Sequence, residues 1–225
     1  MIKLLRLEYL YLIPLIISTW LSLGSFRSSW PLPFKGFSLL LLLTCIVEFF
    51  SILWKYYFHV TAYWAYSPSN LWVYNAFLSV RHLLLLSYFY GFMMTQQGRR
   101  GLAWSIPPFM LFAVVNYFFI QTPHMVNTYT LTIANSMTVL LAIYFFRMVM
   151  LHKEIIDLTR STEVWIALGT FLYYTGTLPF FVTFNYLIIE KPGIASSYLV
   201  INDVLNFIMY TSYAVAFLCK PHFLK

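Results

Sequence analysis

Charge is what this chain has least of. Asp, Glu, Lys and Arg make up 9% of its 225 residues, and only seven residues are acidic. A soluble domain averages roughly 25% charged residues. With 61% apolar residues and a mean hydropathy of +0.75, the composition excludes an ordinary soluble domain and points to a polytopic membrane protein. Cysteine is scarce too. Cys45 and Cys219 fall in or at the end of apolar runs, where a thiol behaves as a small hydrophobe. His59, His82, His124, His152 and His222 are scattered, with no metal-ligand spacing. There is no G-x-S-x-G, no H-E-x-x-H and no P-loop. The last apolar run carries no lysine for a retinal Schiff base. Nothing supports an enzyme, and no cofactor is implied. The formal charge of +7 fits basic residues flanking helices on a cytoplasmic face better than a nucleic-acid partner.

Long apolar runs are what the chain does have. Seven approach or exceed the ~17 residues a spanning helix needs: 8–24, 37–57, 71–95, 102–121, 129–150, 164–189 and 197–219. The expected fold is therefore an all-α seven-helix transmembrane bundle forming one domain over 1–225. The first run follows a basic start but lacks a small-residue cleavage site, so it reads as an uncleaved helix. Turn signals separate the runs: Trp30-Pro31-Leu32-Pro33, Ser67-Pro68-Ser69-Asn70, Gly98-Arg99-Arg100-Gly101, Thr122-Pro123-His124 and Lys191-Pro192-Gly193. Seven spans put the termini on opposite sides. With the N-terminus outside, Arg27, Lys35, Arg99, Arg100, Arg147, Lys153, Arg160, Lys220 and Lys225 face inward, against Lys3, Arg6, Lys55 and Lys191 outward. The positive-inside rule then favours an outer N-terminus and a cytoplasmic C-terminus in a bacterial inner membrane.

Polar residues within the runs mark the interior. Glu48 and Arg81 fall at comparable depths in consecutive runs, and a charge at that depth costs ~2.5 kcal/mol or more unless compensated. A buried Glu48–Arg81 ion pair is the expectation. Asn75, Ser79 and His82 share one face of the third helix. Asp203, Asn206 and Tyr210 share a face of the seventh, and Asn116, Asn135 and Asn185 lie in outer halves of other helices. Polar groups in lipid must face the interior or water. Asn75, Ser79, His82, Asn135, Asn185, Asp203 and Asn206 are thus expected to converge on one outer-half pocket, ringed by Tyr88, Tyr173 and Tyr210, with His82 near Asp203. Interhelical hydrogen bonding explains the same residues without a ligand. In the sixth run Gly169, Tyr173 and Gly176 share a face suited to close helix packing, and Pro179 can kink the helix. The 151–163 connection alternates Glu154, Asp157 and Arg160 with Ile155, Ile156 and Leu158, which suits a surface helix or a docking segment for a protein partner.

The sixth-helix residues Trp165, Gly169, Tyr173, Tyr174, Gly176, Phe181 and Asn185, with Glu48 and Asn206, resemble the pattern of a family of small seven-helix integral membrane proteins common in Bacteroidota. The resemblance covers nearly the whole chain and is mostly one of layout. Arg81 departs from it, since that part of the third helix usually carries an acidic residue. More distantly, the layout is similar to seven-helix sensory modules of bacterial histidine kinases. The resemblance implies a membrane-embedded sensor or signalling receptor acting through a separate partner protein. The alternatives are a structural or accessory subunit of a larger membrane assembly, or a small transporter.

Overall fold

The computed structural model describes residues 9–27, 30–58, 61, 69–93, 95–121, 125–151 and 157–222. Among these it is all-helical, apart from one bridge of extended backbone between Ser161 and Lys220. The helices are α1 (Leu12–Ser22), α2 (Gly24–Arg27), α3 (Leu32–Tyr56), α4 (Leu71–Tyr90), α5 (Gln96–Val115), α6 (Thr128–Leu151), α7 (Thr162–Glu190) and α8 (Pro192–Leu218). A π-helical turn, Asn116–Ile120, extends α5, and one 3-10 turn, Leu158–Arg160, precedes α7.

Five segments are long and apolar enough to cross a membrane: α3, α5 with its π turn, α6, α7 and α8. α4 has the length, at 20 residues, but Asn75, Arg81 and His82 lower its hydropathy. α1 and α2 together form a shorter apolar segment. The outer surface is apolar, with Trp20, Leu32, Trp104 and Phe119 each at least 76% exposed.

Three helix starts differ from the sequence reading. α3 begins at Leu32 and α8 at Pro192, where turns were expected. Pro31, Pro33 and Pro192 initiate rather than delay these helices, because a first-turn N–H has no intrahelical partner to lose. α5 begins at Gln96, since the Thr95 hydroxyl accepts from the Gly98 amide at 3.1 Å and caps the turn. The expected surface helix within 151–163 lies partly outside the described residues, and between α6 and α7 the described part forms the 3-10 turn and the bridge at Ser161.

Six helices close a ring in the order α3, α4, α6, α7, α8, α1 and back to α3. α5 leans on α4 from outside that ring. The helix ends at Tyr56, Leu71, Thr128, Glu190 and Pro192 define what is called here the upper end. The lower half of the interior is packed with aromatics: Phe34, Phe37, Tyr88 and Phe92 contact one another, and Phe37 meets Tyr213 edge-on at 4.9 Å. α7 and α8 approach closely at Gly169. A Cβ there would lie 2.8 Å from Ser212 Cβ and 3.1 Å from the Met209 carbonyl oxygen. The upper half is where the polar side chains gather.

Candidate functional site

The upper-half polar residues sort into four groups. The first surrounds Glu48. Tyr11 donates to Glu48 Oε2 at 2.9 Å and Tyr74 donates to the same oxygen at 2.8 Å, so one carboxylate joins α3, α4 and the start of α1. Tyr11 also stacks on Tyr210 of α8 at 6.4 Å. The direct Glu48–Arg81 pair expected from sequence is not made. Among the described residues the ion pair within 4.0 Å is Asp157–Arg160, on the surface at 3.4 Å. Helix register is the reason. Asn70 reaches the Ser51 carbonyl and Tyr74 reaches Glu48, so Glu48 is level with Tyr74. Arg81 lies seven residues further along α4, ~10 Å at 1.5 Å per residue.

The second and third groups fasten the top of α6. Asn75 donates to the Met125 carbonyl at 2.7 Å and accepts from the Asn127 amide at 3.2 Å. Asn185 donates to the Val126 carbonyl at 2.9 Å. Together they clamp the segment leading into α6 from α4 and α7. Beside it, Asn116 donates to Gln121 and to Thr130, and Gln121 donates to Thr128. These bonds knot the π turn to α6. For Asn75, Asn116 and Asn185, the hydrogen-bonding explanation is therefore the one the geometry favours.

The fourth group lines a cavity. Between α4, α6 and α7, Arg81, His82, Asn135, Tyr173 and Tyr174 surround a space of about 10 Å³, closed by Leu78, Leu131, Ala134 and Phe181. That is room for about one water molecule. Arg81 lies over the Tyr173 and Tyr174 rings, 5.5 Å from each centroid, and makes no ion pair among the described residues. Its cation is held by π faces rather than by a carboxylate. His82 Nδ1 is 3.4 Å from Thr138 Oγ1, and its ring packs on Phe109 of α5 at 4.6 Å. His82 Nε2 and Asn135 Nδ2 are buried and have no hydrogen-bond partner. Each belongs to a residue at most 3% exposed.

Of the seven residues expected in one pocket, the structure brings His82 and Asn135 to this cavity, with Arg81 beside them. Asn75 and Asn185 serve the α6 clamp. Ser79 and Asp203 are half-buried on α4 and α8, Asn206 is buried on α8, and none of the three lines the cavity. His82 faces Thr138 rather than Asp203, because its α4 position turns it toward α6. Tyr173 donates to Asn202 Oδ1 at 3.2 Å, while Tyr88 belongs to the lower aromatic core. Sequence reading missed Tyr11, Tyr74 and Thr138, and named Tyr174 only as part of the sixth-helix pattern. Tyr74 was accessible in principle, since it lies seven residues before Arg81 on the same face of α4.

At the lower end, the chain after α8 is fastened to the start of α7. The Thr162 amide donates to the Lys220 carbonyl, and Glu163 accepts from Ser161 Oγ at 2.7 Å and from the His222 amide at 2.8 Å. Glu163 is fully buried in a first helical turn, where the backbone dipole favours an anion. Asp157 accepts from the Thr159 hydroxyl and amide, and these bonds hold its carboxyl below the ordinary range. Burial, with Asp157 nearby, pushes the Cys219 thiol up.

Searches against protein-family models, curated proteins and solved structures find no match to this chain.

Proposed function

We propose that this protein is a membrane-embedded receptor of a bacterial inner membrane, with seven spans, an outer N-terminus and a cytoplasmic C-terminus. On this reading α1 and α4 complete the count of spans, and the cavity between α4, α6 and α7 is the ligand site. The observation that carries it is the pair of orphaned polar atoms, His82 Nε2 and Asn135 Nδ2, beside the Arg81 cation. An unpaired polar group in a lipid-surrounded interior costs several kcal/mol, and such an arrangement is retained where a ligand or reaction uses it. Six of the seven proposed spans take part in the ring, so a change at the cavity can be passed along packed helices to the lower end. There Arg160 and the 157–163 segment offer a cytoplasmic face to a protein partner. The resemblance to sensory modules and the distribution of basic residues support the same assignment.

A photo-cross-linking residue at position 160, in native membranes, tests this. A receptor gives a discrete adduct whose yield changes when the cavity is altered by Asn135→Leu. An adduct of constant stoichiometry, indifferent to the cavity, would favour an accessory subunit. No adduct, together with solute flux in proteoliposomes, would favour a transporter.

A further inference from the structure

The lower part of the α1–α2 segment carries a notch that bundle packing leaves open. Leu23 keeps helical backbone angles between the two helices, so Trp20, Gly24 and Arg27, at i, i+4 and i+7, stack on one face. With Leu21 and Leu23 they line a space of about 380 Å³. Gly24 keeps it clear, since a Cβ there would meet nothing within 4 Å. Trp20 is 76% exposed, and Gly24 and Arg27 are exposed too, so the notch looks outward from the ring. Its back is fixed to α3. Buried Ser25 is hydrogen-bonded to Ser38 at 2.8 Å, and Ser38 donates to the Ser22 carbonyl at 3.0 Å.

The notch is amphipathic along its length. Among the described residues, Arg27 has no carboxylate within 4.0 Å, and neither its guanidinium nor the Trp20 indole N–H has an acceptor. Arg27 stands at the lower rim, and Trp20 lies seven residues above it, ~10 Å at 1.5 Å per residue. Leu21 and Leu23 fill the interval. A guanidinium matches phosphate oxygens with paired hydrogen bonds. The apolar stretch above it adds nothing for a free phosphate, but it suits the acyl chains that continue from a lipid phosphate.

Charge selects among lipids. Among the described residues, Arg27, Lys35, Arg99, Arg100, Arg160 and Lys220 stand at the lower end, against Asp157 and the buried Glu163. The Ser25–Ser38 bond sets the register of α2 on α3. Lys35, one turn below Ser38, therefore lies at about the depth of Arg27. Such an end draws an anionic headgroup in preference to a zwitterionic one.

We infer that this notch is a binding site for one anionic phospholipid, its phosphate on Arg27 and its acyl chains along Leu23 and Trp20. The inference rests on reading the chain as a membrane protein, and it makes no use of the cavity between α4, α6 and α7.

The test adds phosphatidylglycerol or phosphatidylcholine in steps to the purified full-length protein in a neutral detergent. Native mass spectrometry counts the lipids retained. One phosphatidylglycerol should be held about fivefold more tightly than phosphatidylcholine, the discrimination that one cation near a membrane surface supplies. Arg27→Gln should remove that preference. Gly24→Leu alters no charge and extends into open space, and it should weaken phosphatidylglycerol retention by a similar factor. Arg100→Gln takes a cation from the same end without touching the notch and should leave retention unchanged. Equal retention of the two lipids, or retention that Gly24→Leu leaves intact, would overturn the inference. So would an equal loss in Arg100→Gln and Arg27→Gln, which would show a diffuse field in place of a site. Displacement of the lipid by inorganic phosphate would overturn it as well, by showing a plain anion site. The cross-linking test reads position 160 and the α4–α6–α7 cavity, so failure here leaves the receptor reading standing, and failure there leaves the lipid site.

Discussion

Tyr74 donates its hydroxyl to Glu48 at 2.8 Å across the α3–α4 contact, and this bond sets the level of the interior charges. It holds the carboxylate about two helical turns above Arg81, with Tyr11 on the same oxygen. Glu48 is thus a three-way fastener rather than half of an ion pair. Glu48→Gln keeps an acceptor for both tyrosines and should cost at most about 1 kcal/mol, whereas Glu48→Ala orphans two buried hydroxyls and should cost roughly 2–4 kcal/mol. Thermal unfolding in detergent of the two variants checks the order.

The α7–α8 crossing gives a paired prediction. At Gly169 a new methyl group meets a backbone carbonyl and the Ser212 Cβ, and neither can move alone. At Gly176 it meets the tip of Leu205, 2.8 Å away, which can rotate. Gly169→Ala should destabilise by about 1–3 kcal/mol through overpacking. Gly176→Ala should be near neutral, because the helical gain of alanine over glycine, up to ~1 kcal/mol, offsets the adjustment. Melting temperatures of the two variants decide it.

The α6 clamp separates two residues that sequence reading grouped. Asn75→Ala leaves the Met125 carbonyl and the Asn127 amide without their side-chain partner and should cost about 1–3 kcal/mol. Ser79→Ala, one turn along the same face, removes no hydrogen bond among the described residues. It should fall within about 0.5 kcal/mol of the parent. Equal losses in chemical unfolding would refute the clamp.

Cys219 should label slowly with maleimide, because only the thiolate attacks and its thiol is held above the ordinary range, first by burial and then by Asp157. In a Cys45→Ala background the rate should climb with pH and stay below that of a free thiol until past about pH 8.5. Asp157→Asn removes the nearby negative charge, lowers the thiol's titration and should speed labelling near neutrality. A rate that matches free cysteine at every pH would contradict this.

Much of the helix pattern was legible because long apolar helices announce themselves by length and apolarity. Each of the seven apolar runs overlaps one of the long helices or, for the first, α1. The starts were less legible, since proline at Pro33 and Pro192 reads as a break when it is in fact a first-turn residue. Site legibility was limited for a different reason. That Asn75, His82, Asn135 and Asn185 turn inward follows from the cost of polar groups in lipid. Which of them meet does not, because it depends on helix rotation and on which helices are neighbours in the ring. Glu48 and Arg81 looked matched by counting from helix ends. The α3–α4 register, visible only through the Asn70 and Tyr74 bonds, separates them.

The closure of the ring by α1 bears on how the molecule assembles. α1 packs on α3, its near neighbour in sequence, and on α8, which lies at the far end of the chain. Until α8 has been synthesised, the face of α1 that bears Tyr11 and Leu15 lacks half of its groove, and Tyr11 cannot stack on Tyr210. The last contact to form is therefore also among the longest in sequence separation, the kind that slows folding. Intermediates stalled before α8 would be open barrels with an unsealed seam between α1 and α7, and a membrane protease or chaperone that surveys newly inserted chains would find its target at that seam.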